Sequence, residues 1–139
     1  MRLLGLDFGE KRIGVAVSDP LGFTAQAVAV IGRKNLAEDI KEIKKLLDKY
    51  EATEIVIGLP RTLKGEIGEE AKKVLEFAQV LEKDLKLSVI TWDERLTTAA
   101  AEKVLIEADL SRQKRKKVID KLAAVYILQS YLDHKKHKS

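Results

Sequence analysis

The chain predicts an α/β domain built on a mixed five-stranded sheet flanked by helices. Three features lead there. Two adjoining apolar runs, Leu3 to Phe8 and Arg12 to Asp19, are separated by the glycine-led turn Gly9-Glu10-Lys11 and read as a β-hairpin. Beyond Asn35, stretches with apolar residues at helical spacing alternate with short strands of the buried type. At 139 residues the chain suffices for one sheet with helices but not for two domains with a cleft between them, so residues 1–139 are expected to form a single domain.

The elements follow in order. After the hairpin, Thr24 to Ile31 reads as a third strand, and Asn35 three residues before Glu38 makes a capping pair that opens a helix. Leu36, Ile40, Ile43, Leu47 and Tyr50 then recur at helical spacing and predict one apolar face. Glu54 to Leu59 is a fourth strand, stopped by Pro60, whose ring cannot continue a ladder; Gly65 and Gly68 loosen the loop after it. From Glu69 to about Leu85 the positions Ala71, Val74, Leu75, Ala78 and Leu81 predict a second amphipathic helix, and Leu87 to Trp92 a fifth strand. Thr97 or Thr98 can cap a short alanine-rich helix reaching about Glu107. Asp109 or Ser111 can cap a last helix to about Leu132, followed by a polar tail holding His134 and His137. The order β-β-β-α-β-α-β-α-α is that of ribonuclease-H-like domains.

Composition narrows the chemistry. With 26 basic and 22 acidic residues the net charge is +4, a modest excess whose placement matters more than its sum. Absence of cysteine excludes disulfides, thiolate metal sites and cysteine catalysis. The apolar start is broken by Asp7 and Glu10, and no stretch approaches a membrane span, so a soluble cytoplasmic protein with no membrane partner is expected.

Asp7 is the acid that most needs explaining. It sits at the end of an apolar strand, where an ionised carboxylate without a partner would cost several kcal/mol. Turn amides or Arg12 could satisfy it; so could a metal. A second concentration of polar groups, Asp93-Glu94-Arg95-Leu96-Thr97-Thr98, falls at a strand-to-helix junction, although capping threonines and an Asp–Arg ion pair would account for part of it. In the last helix Asp120 shares a face with Ala124, Ile127 and Tyr131, while Ala123 and Ala124 let the helix approach the sheet closely. Alone, Asp120 could be an acid favoured by the helix dipole. Together Asp7, the Asp93-Glu94 pair and Asp120 would make an all-oxygen set suited to Mg²⁺ or Mn²⁺, and two such ions can clamp the attacking and leaving oxygens of a phosphodiester.

Basic residues surround these acids. Lys11, Arg12, Arg61, Lys64 and Arg95 fall in loops or at strand ends, and the hydroxyls of Thr97 and Thr98 lie beside them. Arg112, Lys114, Arg115, Lys116 and Lys117 occupy the first turns of a helix, where the macrodipole disfavours cations. A solvated charge run is the ordinary explanation; contact with nucleic-acid phosphates would explain the placement. Few aromatic residues are available for base stacking, which favours recognition by backbone and shape.

Four ordered motifs covering essentially the whole chain resemble the YqgF (RuvX) family of small ribonuclease-H-fold proteins, described as pre-16S rRNA nucleases or Holliday junction resolvase-like proteins. They are Gly5-Leu6-Asp7-Phe8-Gly9 with Lys11-Arg12-Ile13-Gly14-Val15-Ala16 and Ser18-Asp19; Gly58-Leu59-Pro60 with Gly65 and Gly68; Asp93-Glu94-Arg95-Leu96-Thr97-Thr98; and Asp120 with Ala123-Ala124 and Ile127-Leu128-Gln129. The resemblance implies Asp7, an acid of the Asp93-Glu94 pair and Asp120 as the metal-binding catalytic set. Glu94 is taken as the catalytic member and Asp93 as a further ligand. The resemblance also implies a bacterial cytoplasmic role in 16S rRNA 5′-end maturation, with ribosomal precursor particles as partners. Two departures stand out: Thr62 and Lys64 replace an Asn and an acid found in many relatives, and the fourth strand ends in Gly58-Leu59-Pro60, where RuvC-type resolvases have an acid.

The expected function is thus metal-dependent hydrolysis of phosphodiester bonds in structured nucleic acid, pre-16S rRNA first and four-way DNA junctions as the alternative, by a monomer or weak homodimer. Two other classes compete. An ATP-using phosphotransferase would explain the glycine-flanked Asp7 hairpin but needs a second lobe, and a non-catalytic ribosome-assembly module would use the basic helix alone.

Overall fold

The computed structural model describes residues 2–60, 64, 66–93 and 112–138, with the backbone alone for 112–120 and 136–138. In chain order the elements are β1 (Arg2–Phe8), β2 (Arg12–Ser18), β3 (Ala25–Gly32), α1 (Leu36–Tyr50), β4 (Ala52–Leu59), α2 (Glu69–Leu85), β5 (Ser88–Asp93) and α3 (Arg112–Lys138). The strands form one sheet in the order β3-β2-β1-β4-β5. The three hairpin-linked strands pair antiparallel, whereas β1, β4 and β5 run parallel, so the sheet is mixed as expected. The short helix expected from Thr97 to Glu107, its caps, and those of the last helix lie outside the described residues.

Strand alternation sorts side chains between two layers. Leu4, Leu6, Ile55, Ile57 and Leu59 point to one face, where Ile40, Ile43 and Leu47 of α1 and Val74, Phe77 and Leu81 of α2 cover them. Leu3, Ala16 and Val56 point to the other, beneath Ala124, Ile127, Leu128 and Leu132 of α3. Central strands buried on both sides carry continuous apolar runs, which is why β1 and β4 were legible as strands without strict alternation.

The close approach expected from Ala123 and Ala124 has its counterpart in the sheet. Ala16, Gly5 and Val56 stand in one row across β2, β1 and β4, three residues of modest bulk under the helix. A β-carbon at Gly5 would lie 2.7 Å from the Leu128 Cβ and 3.1 Å from the Ala124 carbonyl oxygen, so only glycine fits there.

Helix ends follow the local chemistry. Asn35 Oδ1 accepts from the Glu38 amide at 2.9 Å, the cap expected for α1. Leu36, expected on the apolar face, is 47% exposed, whereas Ile40, one turn on, is buried. The last helix also differs from expectation. It continues through His134 and His137 to Lys138 instead of ending near Leu132 in a polar tail. Nothing there breaks a helix, and cations at a C-terminus suit the macrodipole. Gln129 Nε2 donates to Asp133 one turn on, which supports the extension.

Candidate active site

Asp7 is built into the sheet. It pairs with Gly14 of β2 and is 8% exposed, a carboxylate nearly withdrawn from solvent at the end of the central strand. Leu4 and Leu6 face α1 and α2, so the alternation of the pleat puts Asp7 on the α3 side with Leu3 and Gly5. Its position follows from the same row of contacts that seats α3. Asp7 lies two residues, about 7 Å, beyond Gly5 along β1, and Asp120 lies one helical turn, about 6 Å, before Ala124.

The turn that follows is held from several directions. The Gly9 amide donates to the Arg12 carbonyl at 2.9 Å, and a β-carbon on Gly9 would meet that oxygen at 2.8 Å. Arg33, at the end of β3, donates from its backbone to the Lys11 carbonyl and from Nη1 to the carbonyls of Gly9 and Glu10 at 3.0 and 3.3 Å. Its guanidinium lies 4.3 Å from the Phe8 ring centroid, and Phe8 stacks at 4.2 Å on Phe77 of α2. Behind it, Arg33 Nε faces Asp39 Oδ2 at 3.5 Å, a Coulombic contact without hydrogen-bond geometry, while Asp39 Oδ1 accepts from the Lys34 amide. Asp39 is 1% exposed.

Neither Arg33 nor Asp39 was singled out by sequence reasoning. The available signal was Asp39 four residues before Ile43, an acid beside the apolar stripe of α1. Arg33 also lines a cavity of about 380 Å³ with Phe8, Gly9, Glu10, Pro60 and Val74. That cavity opens on the α2 side of the sheet, away from Asp7.

The other candidate residues divide into three groups. Asp93 ends β5 opposite Leu59 of β4. Because Ile90 and Trp92 pack toward α3 and Val89 toward α2, the pleat places Asp93 on the α2 side, facing away from Asp7. Asp93 was expected to join Asp7 around metal; one residue along a strand reverses the face, so the β5 alternation assigns the Asp93 position to the side opposite that of Trp92. Lys11 and Lys64 are exposed, and Arg12 is half-buried at the start of β2. Arg112, Lys114, Arg115, Lys116 and Lys117 occupy the first turns of α3 with no acid among them to offset the charge, and the backbone of Asp120 is helical. The side chains of these α3 residues lie outside the described part of the structure, as do Glu94, Arg95, Thr97, Thr98 and Arg61 entirely. Among the described residues, which include neither Glu94 nor the Asp120 side chain, no three His, Cys, Asp or Glu side chains cluster as for a metal.

The family described as RuvX: Holliday junction resolvase matches residues 1–134. The chain belongs to the RuvX family. RuvX relatives are close: one from Clostridium botulinum strain Hall is 56% identical over 96% of this chain and 97% of its own length, and one from Clostridium tetani is 57% identical over 96% of each. Both carry the provisional name pre-16S rRNA nuclease. Among solved structures, Thermus thermophilus RuvC in complex with a Holliday junction substrate superposes with a TM-score of 0.65 at 10% identity, covering 99% of this chain and 96% of that one. The fowlpox virus Holliday junction resolvase gives 0.53 at 15% identity over the whole of both chains. At such identities the likeness is one of fold, and it establishes for this RuvX chain the ribonuclease-H-like α/β architecture expected from its element order. No helix among the described residues is long and apolar enough to cross a membrane.

Proposed function

We propose that this RuvX chain is an endonuclease that hydrolyses phosphodiester bonds of structured nucleic acid in the presence of Mg²⁺ or Mn²⁺, with the 16S rRNA precursor as its preferred substrate. One observation carries the reading: Asp7 is a carboxylate buried to 8% exposure at the end of the central strand, on the face covered by α3. Such a group needs strong compensation, and hard oxygen donors match small divalent cations. Asp7, Glu94 and Asp120 are the acids that would hold them. Glu94 is favoured over Asp93 because the pleat turns Asp93 toward α2.

When bound, the ions would supply an activated water and neutralise charge on the phosphate. The chain's own residues do the rest. The backbone of Asp7 is held by its pairing with Gly14, and the turn that follows by the Arg33 clamp, so the strand end that carries the carboxylate is built before substrate arrives. Lys11, exposed at the hairpin tip, and Arg12 offer charge for phosphates next to the scissile bond. Lys64, Arg61, Arg95, Thr97 and Thr98, with Arg112, Lys114, Arg115, Lys116 and Lys117 of α3, would track the backbone further away. Precursor ribosomal particles are the expected partner, and the cytoplasm the place of action.

Branched DNA is the second reading, favoured by the family's own description as a resolvase. The purified chain should be given a 16S precursor and a four-way junction side by side with Mg²⁺ or Mn²⁺. Cleavage of the precursor that disappears in Asp7→Asn is the expected result. Cleavage of the junction alone would move the substrate to DNA, and cleavage that survives Asp7→Asn would remove Asp7 from the site. Binding without cleavage in wild type would favour a non-catalytic assembly role.

A further inference from the structure

An aromatic cluster stands on the same sheet face as Asp7 and belongs to none of the groups assigned above. Trp92 of β5 meets Tyr131 of α3 edge to face, with centroids 5.4 Å apart, and His134 at 5.0 Å with the planes tilted by 57°. The indole plane is fixed, because Trp92 Nε1 donates to Ser130 Oγ at 3.0 Å. Trp92 and Tyr131 are half-buried and His134 is exposed, so the cluster presents ring surface to solvent.

Its place in the sheet relates it to the candidate site. Trp92 pairs with Gly58 of β4, and the parallel register of β1 with β4, carried one residue beyond Leu6 and Ile57, sets Asp7 level with the same Gly58. Asp7 and Trp92 therefore flank a residue without a side chain, two strand spacings or about 10 Å apart. Tyr131 and His134 lie farther off, eleven and fourteen residues or about 17 and 21 Å along α3 from Asp120, a span that a few nucleotides of one strand can cover. The helix that supplies Tyr131 and His134 ends in His134-Lys135-Lys136-His137-Lys138, a basic turn complementary to phosphate.

We propose that Trp92, Tyr131 and His134 form a stacking platform for an unpaired nucleotide of the strand that reaches Asp7, with the basic end of α3 beside its phosphates. Aromatic rings accept any base by stacking, and a cationic rim tracks the backbone, the combination used to hold single strands without sequence preference. The substrate class is thereby narrowed to nucleic acid with unpaired nucleotides next to the cleavage point. The inference rests on the reading of Asp7 as the catalytic carboxylate. Few aromatic residues are present, which favoured recognition by backbone and shape; Trp92 of β5 nonetheless meets Tyr131 and His134, one turn apart on α3.

Trp92 is the only tryptophan of the chain, so its emission reports on the platform directly. The full chain in EDTA, where no cleavage intervenes, should be titrated with a short single-stranded RNA, an abasic oligonucleotide of the same length and a blunt duplex, with anisotropy of labelled strands read in parallel. Saturable quenching by the single strand, and not by the abasic strand or the duplex, is expected. His134→Ala and Tyr131→Leu should each weaken single-strand binding about tenfold and leave duplex binding unchanged. Single-strand binding with unaltered Trp92 emission, equal quenching by the abasic strand, or no single-strand binding would overturn the proposal. Quenching that persists in a wild-type chain unable to cut either substrate would leave the platform standing and remove the nuclease reading.

Discussion

Gly5 of β1 and Leu128 of α3 approach so closely that a β-carbon added to Gly5 would lie 2.7 Å from the Leu128 Cβ. The Ala124 carbonyl, 3.1 Å away, closes the remaining space. Substituting Gly5→Ala therefore forces α3 off the sheet, and overpacking of this kind costs about 1–3 kcal/mol. A urea titration should show the unfolding free energy falling by that amount. Leu128→Ala will not rescue it, because the conflicting atom is a Cβ that alanine retains. Since Asp7 and Asp120 lie within about two residues and one turn of this contact, metal-dependent cleavage should decline more than stability alone accounts for.

How much of this was legible beforehand depends on the range of the interaction. Asp7 stood out because its neighbours Leu4 and Leu6 are apolar and a local pattern exposes an intruding acid. The Arg33–Asp39 contact was not legible, since it joins the end of one strand to the first turn of a helix and only the fold brings them to 3.5 Å. Register was likewise invisible: nothing local in Val89-Ile90-Thr91-Trp92 says which residues face α3, and only the packing of Ile90 and Trp92 against that helix reveals it. The end of α3 was misjudged because a polar run resembles a tail unless its supports, Gln129 to Asp133 and His134 against Trp92, are known.

Ser18 carries a structural duty that its small size conceals. The register of β1 against β4 shifts between Arg2 and Leu3, and the Leu3 amide there donates to the buried Ser18 Oγ at 2.9 Å. Ser18→Ala leaves that amide without its acceptor, a loss of about 1–3 kcal/mol. Thermal unfolding should report it, with Ser18→Thr milder than Ser18→Ala because the hydroxyl remains.

The β2–β3 connection should make stability depend on acid. The Asp19 carboxyl is held below its ordinary value of 3.8 by the amide of Thr24 first, then by those of Phe23 and Leu21, against an opposing desolvation. A depressed folded-state pKa contributes stability that is present above the unfolded value and lost as pH falls through the folded one. Urea midpoints should therefore be insensitive to this group well above 3.8 and decline below it. Asp19→Asn should flatten that acid limb. An unchanged slope would mean that the amides do not favour the charged form.

The C-terminus of α2 offers a gain instead of a loss. Lys86 adopts φ 53° and ψ 47°, a left-handed conformation that an L residue with a β-carbon disfavours, while its amide closes the helix on the Glu82 carbonyl. Its side chain is exposed and contributes little packing. Lys86→Gly should raise stability by about 0.5–1 kcal/mol, whereas Lys86→Ala, which keeps the β-carbon, should leave it nearly unchanged.

Arg33 links folding to the candidate site. Its removal in Arg33→Met leaves Asp39, 1% exposed, without a facing cation and releases the Gly9 and Glu10 carbonyls. Breaking a fully buried pair costs about 3–5 kcal/mol; here the Arg33 side chain is 30% exposed, so water reaches one partner and about 2–3 kcal/mol is expected. Asp39→Asn combined with Arg33→Met should recover part of the loss, giving a coupling of at least about 1 kcal/mol in a double-mutant cycle. Chemical denaturation of the four proteins measures it, and strict additivity would show that the two side chains act independently. Arg33→Lys separates the two roles, because it keeps a cation for Asp39 but cannot reach two carbonyls and lie flat on Phe8. That variant should be destabilised less than Arg33→Met and still lose nuclease kcat, with KM little changed, as the turn that follows Asp7 loosens.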